Sequence, residues 1–186
     1  MLHPLTELRQ SKIQGTGLFA TGLIRKGEVV WWETPEDRAQ QLDVPIAELK
    51  SWPEEQQRRF ERYAYQISED MYTGRKDGVP IDPADFTNHS CDPSTWFVND
   101  TTMTARRDLL PGEEVTYDYA TSETDDDFML ACGCGSPNCR KLIRGSDHLL
   151  PEVQQAYGNH MMQHALRKIH AFKAALAQTA PLIERG

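Results

Sequence analysis

The four cysteines of the chain constrain its fold more than any other feature of the sequence. Cys91 lies in "NHSCDPS", and Cys132, Cys134 and Cys139 lie together in "ACGCGSPNCR". Cys-x-Cys is too tight for an ordinary disulfide, whereas a thiolate pair and a third cysteine five residues later can converge on one metal ion. Zinc suits such sulfur donors best. Free buried thiols are the alternative, because the fourth ligand must come from a distant segment.

Length and composition set the class of protein. The chain has 186 residues, 39% hydrophobic and 26% charged, which suits one domain with a real core plus an appendage. No apolar run approaches the roughly 20 residues that span a bilayer. The opening "MLHPLTELRQSK" has no apolar segment of the kind found in signal peptides. We therefore expect a soluble, intracellular, cytoplasmic protein with no membrane partner, which reaches the nucleus only through a partner protein.

The charge of the chain indicates which partners it accepts. Twenty basic and 28 acidic residues give a formal net charge of −8. The basic pairs Arg58-Arg59 and Arg106-Arg107 are isolated, so the sequence carries no footprint of direct nucleic-acid binding. An acidic surface suits a basic peptide or protein substrate, although it also serves plain solubility.

Local patterns predict a mainly β domain with helical additions. Residues 5–32 are strand-like, residues 35–66 have a helical pattern, and "TWFV" and "MTARRDL" are predicted to form a hairpin around Asn99-Asp100. "GEEVTYDYA" reads as one more strand. The acidic run at residues 125–127 favours a solvated loop over a metal site.

Residues 151–180 predict one C-terminal helix that begins at Pro151. Its apolar positions form a one-sided stripe: Val153, Tyr157, Met161, Ala165, Ile169, Phe172 and Leu176. The stripe can pack on the domain, pair two subunits as a dimer or bind a partner, and packing is the default expectation.

Three motifs occur in one order along the chain: "NHSCDPS", "GEEVTYDYA" and "CGCGSPNCRKLI". In this order they resemble the SET-domain protein-lysine methyltransferases that carry a post-SET zinc segment, and the resemblance runs from about Leu5 to Ile143. It implies a mainly β SET fold, a β-clip with a knot-like core, a helical insert at about 35–70, a zinc-bound post-SET loop and a C-terminal helix. The implied divisions are a SET domain (1–128), a post-SET zinc loop (129–145) and a helical extension (146–186).

The resemblance also implies the cofactor and metal sites. Cys91 would join the three later cysteines on one structural zinc ion. Asn88 and His89 would hold S-adenosylmethionine, largely through main-chain groups. The same pocket would be lined by Gly15, Thr16, Gly17, Leu18 and Tyr63. Taken alone, Gly-x-Gly is more often only a turn.

The catalytic assignment depends on "GEEVTYDYA". In a strand, Val115, Tyr117 and Tyr119 project to one face, so two hydroxyls can line one channel. Without the flanking motifs, a pair of core tyrosines is the simpler interpretation. By resemblance, Tyr119 is the catalytic tyrosine and Tyr117 a switch whose hydroxyl limits the product mainly to monomethyl-lysine. Tyr65, with Tyr63 beside it, is predicted to complete the channel, although both also fit a core.

The sequence therefore predicts an S-adenosylmethionine-dependent enzyme that methylates a lysine side chain of a protein or peptide. The alternative from another class is a non-catalytic, zinc-stapled protein-binding module that kept the fold. Methylation of a small molecule is less favoured, because the family's channel admits a lysine side chain from a peptide lying outside.

Overall fold

The computed structural model describes residues 1–80 and 82–179, so the predicted helix end at residue 180 lies outside the described residues. The strands are β1 (Thr6–Gln10), β2 (Thr16–Ala20), β3 (Val29–Trp32), β4 (Leu42–Pro45), β5 (Tyr65–Ser68), β6 (Met71–Gly74), β7 (Asn88–His89), β8 (Thr95–Asn99), β9 (Thr102–Ala105), β10 (Glu114–Tyr117), β11 (Met129–Ala131) and β12 (Leu142–Arg144). The α-helices are α1 (Pro35–Arg38), α2 (Ile46–Leu49), α3 (Glu54–Glu61), α4 (Pro151–Tyr157) and α5 (Gln163–Thr179). The predicted mainly β architecture with C-terminal helices is confirmed.

A four-stranded sheet, in the order β1-β2-β10-β7, positions the candidate site. β10 is antiparallel to β2 and parallel to β7, with Thr116 opposite Asn88 and Tyr117 opposite His89. The core beneath this sheet is built from Leu18, Ala20, Ile24, Val30, Ala105, Leu109 and Val115. Two remote motifs, "NHSC" and "TYDY", thus lie side by side. The predicted hairpin around Asn99-Asp100 is confirmed as β8 and β9.

The region predicted to be helical, residues 35–66, is only partly helical. It contains α1, α2 and α3, but β4 lies between the first two and pairs with β6 in the sheet β4-β6-β5. Val44 of β4 packs with Leu49, Phe60 and Tyr72 in a small separate core. The prediction was wrong at β4 because long-range pairing with β6 decides the conformation there, and local propensity cannot show that partner.

The predicted single C-terminal helix is two helices. Gly158 has φ +54°, which ends α4, and α5 begins at Gln163. The stripe divides in the same way. Its first five positions are buried against Ala120 of the domain, whereas Phe172 and Leu176 are 41% and 54% exposed. Packing on the domain is therefore confirmed for the first part of the stripe, and dimerisation through the helix stays a prediction.

Within residues 1–80 and 82–179, none of the helices has both the length and the apolar character needed to cross a membrane.

Candidate active site and metal centre

The four cysteines converge at one point. Their Sγ atoms all lie within 4.8 Å of one another. Cys132 Sγ is 3.9 Å from Cys91 Sγ and 3.6 Å from Cys139 Sγ. A tetrahedral zinc ion with bonds of about 2.3 Å places its sulfur ligands about 3.8 Å apart. The cluster is therefore positioned to bind a metal ion, and both its donor set and its spacing fit zinc.

Groups around the sulfurs favour thiolates at part of this cluster. The main-chain N–H groups of Arg140 and Cys134 point at Cys91 Sγ and Cys132 Sγ, at 3.4 and 3.5 Å. Burial opposes ionisation of Cys134, yet hydrogen bonds, chiefly with Ser136, lower the pKa of this thiol to about 6. Such hydrogen bonds stabilise the negative charge that a metal-bound thiolate carries.

His89 connects the cysteine cluster to the candidate catalytic tyrosine. Its Nδ1 accepts the main-chain N–H of Tyr119 at 3.1 Å, so the ring hydrogen belongs on Nε2, which lies 3.4 Å from Cys91 Sγ. Burial lowers the pKa of His89 to about 4, and the nearby Arg140 acts in the same direction. The imidazole is therefore neutral near pH 7, and it contacts both Cys91 Sγ and the main chain of Tyr119.

The Asn88 side chain fastens the glycine turn that precedes β2. Its amide Nδ2 lies within hydrogen-bond distance of the carbonyls of Gln14 and Thr16, at 3.1 and 3.2 Å, and of Glu114 Oε1 at 2.8 Å. A Cβ on Gly17 would lie only 2.3 Å from Glu114 Oε1. A side chain at residue 17 would therefore require the Glu114 side chain, which bonds Ser11 and Asn88, to move. The expected contact of Asn88 with a ligand through its main chain stays a prediction.

A small cavity of about 240 Å³ lies between this turn and the cysteine segment. Its lining comprises Ile13, Gln14, Glu61, Arg62, Asn88, His89, Tyr119, Phe128, Met129, Leu130, Ala131, Cys132 and Gly133. Asn88 and His89 therefore both line this cavity, and their contact with a cofactor stays a prediction. Gly15, Thr16, Gly17 and Leu18 are absent from the described lining, and Leu18 is 1% exposed in the core. Ile13 and Gln14, which sequence reasoning passed over, line the cavity instead.

A larger cavity of about 920 Å³ adjoins the small one, since seven residues line both. Five tyrosines line it: Tyr63, Tyr65, Tyr72, Tyr117 and Tyr119. The Tyr65 hydroxyl donates towards Glu33 Oε1 at 3.0 Å. Tyr63 packs edge-on against Phe86, with ring centroids 5.4 Å apart. Tyr63 and Tyr65 thus lie in the channel wall, but Tyr63 is on the large cavity and not on the small one where its predicted role places it.

Tyr119 lines both cavities. Its hydroxyl donates to the carbonyl of Thr87 at 3.0 Å, and its ring centroid is 4.7 Å from that of Tyr117. The single predicted strand ends at Tyr117, and Tyr119 begins a 3₁₀ turn, Tyr119–Thr121. The two rings are close because of this turn. The prediction that Tyr117 and Tyr119 lie close together is therefore correct, but the predicted cause, alternation along a single strand, is wrong.

Burial raises the pKa of both Tyr117 and Tyr119, and the carboxylate of Glu123 raises it further. Both hydroxyls therefore stay protonated near pH 7. They can orient a ligand by hydrogen bonding, but they are not bases at neutral pH.

Two buried acidic residues of the site were missed by sequence reasoning. Asp118 is 1% exposed and Glu123 is 4% exposed. Glu123 stands in the polar run "TSETDDD", where no local pattern distinguishes a buried carboxyl group from the solvated ones beside it. For Asp118, the only signal is its place between the two tyrosines.

Comparison with known proteins agrees with this architecture. Residues 15–120 match the SET domain. The chain is 32% identical over 149 residues to "Histone-lysine N-methyltransferase trr" of Drosophila melanogaster, covering 72% of this chain and 6% of that protein. It is 33% identical over 150 residues to "Histone-lysine N-methyltransferase, H3 lysine-4 specific" of Eremothecium gossypii, covering 75% and 14%. The chain therefore spans only a small part of the length of these relatives.

Among solved structures, the fold is similar to that of KRYPTONITE. One complex of KRYPTONITE, with mCHG DNA and SAH, superimposes with a TM-score of 0.54 at 22% identity, covering 76% of this chain and 29% of that chain. This likeness concerns the fold alone. Together with the match over residues 15–120, it shows that the chain belongs to the SET-domain family and has the SET fold.

Proposed function

We propose that the protein is an S-adenosylmethionine-dependent protein-lysine methyltransferase. The observation that carries the proposal is the place of Tyr119, which lines both the small cavity and the large aromatic cavity. A methyl transfer enzyme of this kind must bring a cofactor and a lysine side chain to one point from two directions. The names of the relatives from D. melanogaster and E. gossypii support the same activity.

The small cavity is the proposed cofactor site. It combines a charged pair, Glu61 and Arg62, the aromatic ring of Phe128 and the backbone of residues 129–133, a lining that suits an elongated ligand with charged and apolar parts. Complexes of KRYPTONITE with SAH support this choice of ligand. When bound, S-adenosylmethionine would supply the methyl group.

The cysteine cluster is the proposed zinc site, in a segment that corresponds to post-SET. Cys132 itself lines the small cavity, so the metal-binding segment forms part of its wall. A structural ion would therefore fix that wall, while taking no part in the transfer itself. None of the four described thiols forms a disulfide, which supports the proposal of a reducing, intracellular location in the cytoplasm.

The chain's own residues would orient the acceptor amine. A lysine side chain entering the large cavity leaves water for a wall of tyrosine rings, which favours its neutral form. Tyr119 and Tyr117 offer hydroxyl dipoles beside the amine. Because no covalent enzyme intermediate is needed, alignment and these fixed dipoles account for most of the acceleration.

The lining of the large cavity supports a basic peptide as substrate. It includes eight Asp or Glu side chains and three Lys or Arg side chains, so its charge is predominantly negative. A cationic peptide is attracted to such a surface.

Mainly monomethyl-lysine is the proposed product, since Tyr117 carries a hydroxyl at the channel. We do not propose that the protein binds nucleic acid. An electrophoretic mobility-shift assay with DNA at low salt tests whether it does.

The experiment is methyl transfer from isotopically labelled S-adenosylmethionine to peptide arrays and cell extract, with product mass spectrometry. Calorimetry with the cofactor accompanies it. Label on peptide lysines is the expected result. A zinc-loaded protein that binds no cofactor at millimolar concentration and labels nothing would instead be the non-catalytic binding module.

A further inference from the structure

The large cavity has a carboxyl group in its wall that the proposed transfer does not use. Glu123 follows the turn Tyr119–Thr121, lines the cavity together with Tyr65, Tyr72, Tyr117 and Tyr119, and is 4% exposed. A carboxyl group is seldom buried in such surroundings without a partner of opposite charge.

Few groups within the protein satisfy this carboxyl group. Its Oε2 accepts one hydrogen bond from the Tyr72 hydroxyl at 2.8 Å, and its Oε1 lies 3.4 Å from the main-chain nitrogen of Gln66. An ionised carboxylate can accept about four hydrogen bonds. Oε1 therefore retains capacity for a further donor.

No described cation neutralises Glu123. In the part of the chain that the structure describes, Glu123 forms none of the ion pairs within 4.0 Å. Lys50 lines the same cavity, but its ammonium pairs with Asp125 and Asp127 at 3.2 and 2.6 Å. A buried acid with spare acceptor capacity and no counter-ion suits a cationic ligand.

Several elements bring titratable groups close to Glu123. Strands β5, β6 and β10 and the turn after β10 contribute tyrosines, and Asp125 on the same segment adds negative charge. The two carboxyl groups of β10 and its turn have partners elsewhere, Glu114 with Ser11 and Asn88, and Asp118 with Arg140. From α5, His164 bonds the carbonyl of Ser122, and the Lys168 ammonium bonds the carbonyl of Thr124 at 2.6 Å. Burial raises the pKa of Glu123 to about 7, and Asp125 acts in the same direction.

We infer that Glu123 is the counter-ion of a primary alkylammonium group bound in the large cavity and accepts one proton from it. Under the proposed function, on which this part rests, the ammonium is that of the substrate lysine. A proton moves from lysine Nζ to a carboxylate oxygen of Glu123, the N–H electron pair stays on nitrogen as its lone pair, and the carboxyl group later releases the proton to solvent. Burial favours this neutral pair over the ion pair.

This step supplies what the tyrosines cannot. The lysine ammonium has an ordinary pKa of about 10.4, and its nitrogen cannot attack while protonated. Tyr117 and Tyr119 are held protonated by burial and by Glu123 itself. Glu123 is the group of the cavity wall that is both buried beside those rings and able to take a proton near neutral pH.

The first test measures binding of n-butylammonium, a mimic of the lysine side chain, to the zinc-loaded full chain by NMR. We expect Glu123→Gln to weaken binding at pH about 8 by at least about tenfold. Glu55→Gln is the matched control, since Glu55 is exposed on α3 and outside the cavity lining. n-Butanol, of similar shape and no charge, should bind the natural protein and Glu123→Gln alike.

A measurement on the natural protein keeps the test valid if the variant does not fold. Butylammonium stays charged between pH about 5.5 and 8, whereas Glu123 ionises within this range, so binding should strengthen about tenfold or more as the pH rises. Three results would each overturn the inference. The first is no binding of butylammonium, and the second is binding that does not depend on pH. The third is binding that is lost in Glu33→Gln but kept in Glu123→Gln.

Methyl transfer separates this inference from the proposed function. With active protein, the rate of Glu123→Gln should fall at neutral pH and recover in part at higher pH, where free lysine loses its proton unaided. An identical pH profile in variant and natural protein overturns the proton transfer. Glu123-dependent butylammonium binding without any methyl transfer would refute the proposed function and leave the ammonium site standing.

Discussion

The Asp118 carboxylate accepts two hydrogen bonds from the Arg140 guanidinium, at 2.8 Å to Nη1 and 2.6 Å to Nη2. Asp118 lies between the two channel tyrosines, and Arg140 directly follows the last cysteine of the cluster. The same carboxylate accepts the Tyr157 hydroxyl of α4 at 2.9 Å. One buried charge thus joins the turn that carries Tyr119, the cysteine-bearing segment and the C-terminal helices.

Replacing Asp118 by Asn should strongly destabilise the protein. The change removes one of the two carboxylates that pair with the buried Arg140 guanidinium, the other being Asp147 at 2.9 Å from Nε. Breaking a buried ion pair from one side typically costs about 3–5 kcal/mol, and with Asp147 still in place we expect a loss near the lower value. Tyr157→Phe removes a single hydrogen bond to the same carboxylate and should cost about 1 kcal/mol. Urea unfolding followed by circular dichroism measures both. Equal stability of Asp118→Asn and the natural protein would contradict the proposed junction.

Metal analysis should find about one zinc ion per chain, and Cys134→Ala should release it and weaken cofactor binding. Removal of one thiolate opens the closed ligand shell, and the loop loses the folding energy that the metal supplies. Ser136→Ala is the control, because it removes only the hydroxyl 3.2 Å from Cys134 Sγ and should keep the ion. Full cofactor affinity after chelation would show that the metal-binding loop and the small cavity are independent.

How far the sequence predicts this structure depends on whether a feature is local. The strands within residues 5–32, the strand that ends at Tyr117, the hairpin at Asn99-Asp100 and the grouping of the cysteines followed from motifs that contain their own signals. The first strand of the insert, β4, did not, since its conformation depends on pairing with β6. The break at Gly158 was hidden because the apolar stripe continues in phase across it.

The candidate site shows the same division. Asn88, His89, Tyr117 and Tyr119 could be predicted because they stand in recognisable motifs. Gln14 and Glu123 could not, because only the folded chain shows that one faces the small cavity and the other is buried. Leu18 was predicted to line the cofactor pocket because it follows the motif Gly15-Thr16-Gly17, but it is a core residue.

Tyr119→Phe should reduce turnover by about 10²-fold or more while the protein stays folded. The change removes the hydroxyl that bonds Thr87 at the junction of the cavities and alters the side-chain volume little. Tyr157→Phe is the matched control, since Tyr157 is buried but lines neither described cavity. Single-turnover methyl transfer is the measurement, and unchanged turnover in Tyr119→Phe would remove Tyr119 from the proposed catalytic role.

Tyr117→Phe should shift the product from mainly monomethyl-lysine towards dimethyl-lysine, with the first transfer barely slowed. The hydroxyl can hold an ordered water in the space that a methylated amine needs for a second attack, and without it the water is displaced more easily. Product mass at long times with excess cofactor gives the answer. Trimethyl-lysine from the natural protein would show that the channel imposes no such limit.

Glu123 should make the protein less stable as the pH rises through the neutral range. The pKa of this carboxyl group is 4.5 in its ordinary state and about 7 in the folded protein, mainly because burial disfavours the charged form. Between these values the folded state keeps a proton that the unfolded state has lost. The free energy of unfolding therefore falls as the pH rises from about 4.5 to 7, by on the order of 3 kcal/mol from this group, and levels off above.

The comparison with Glu123→Gln isolates this contribution, because all other titrating groups, the metal-binding thiols included, are common to both proteins. The amide cannot ionise, so the stability of the variant relative to the natural protein should increase from pH about 5 to pH about 8. Urea unfolding at several pH values, with saturating zinc, measures the difference. If the two curves run parallel over that range, the Glu123 carboxyl group titrates in the folded protein as it does in water, and its burial carries no electrostatic cost.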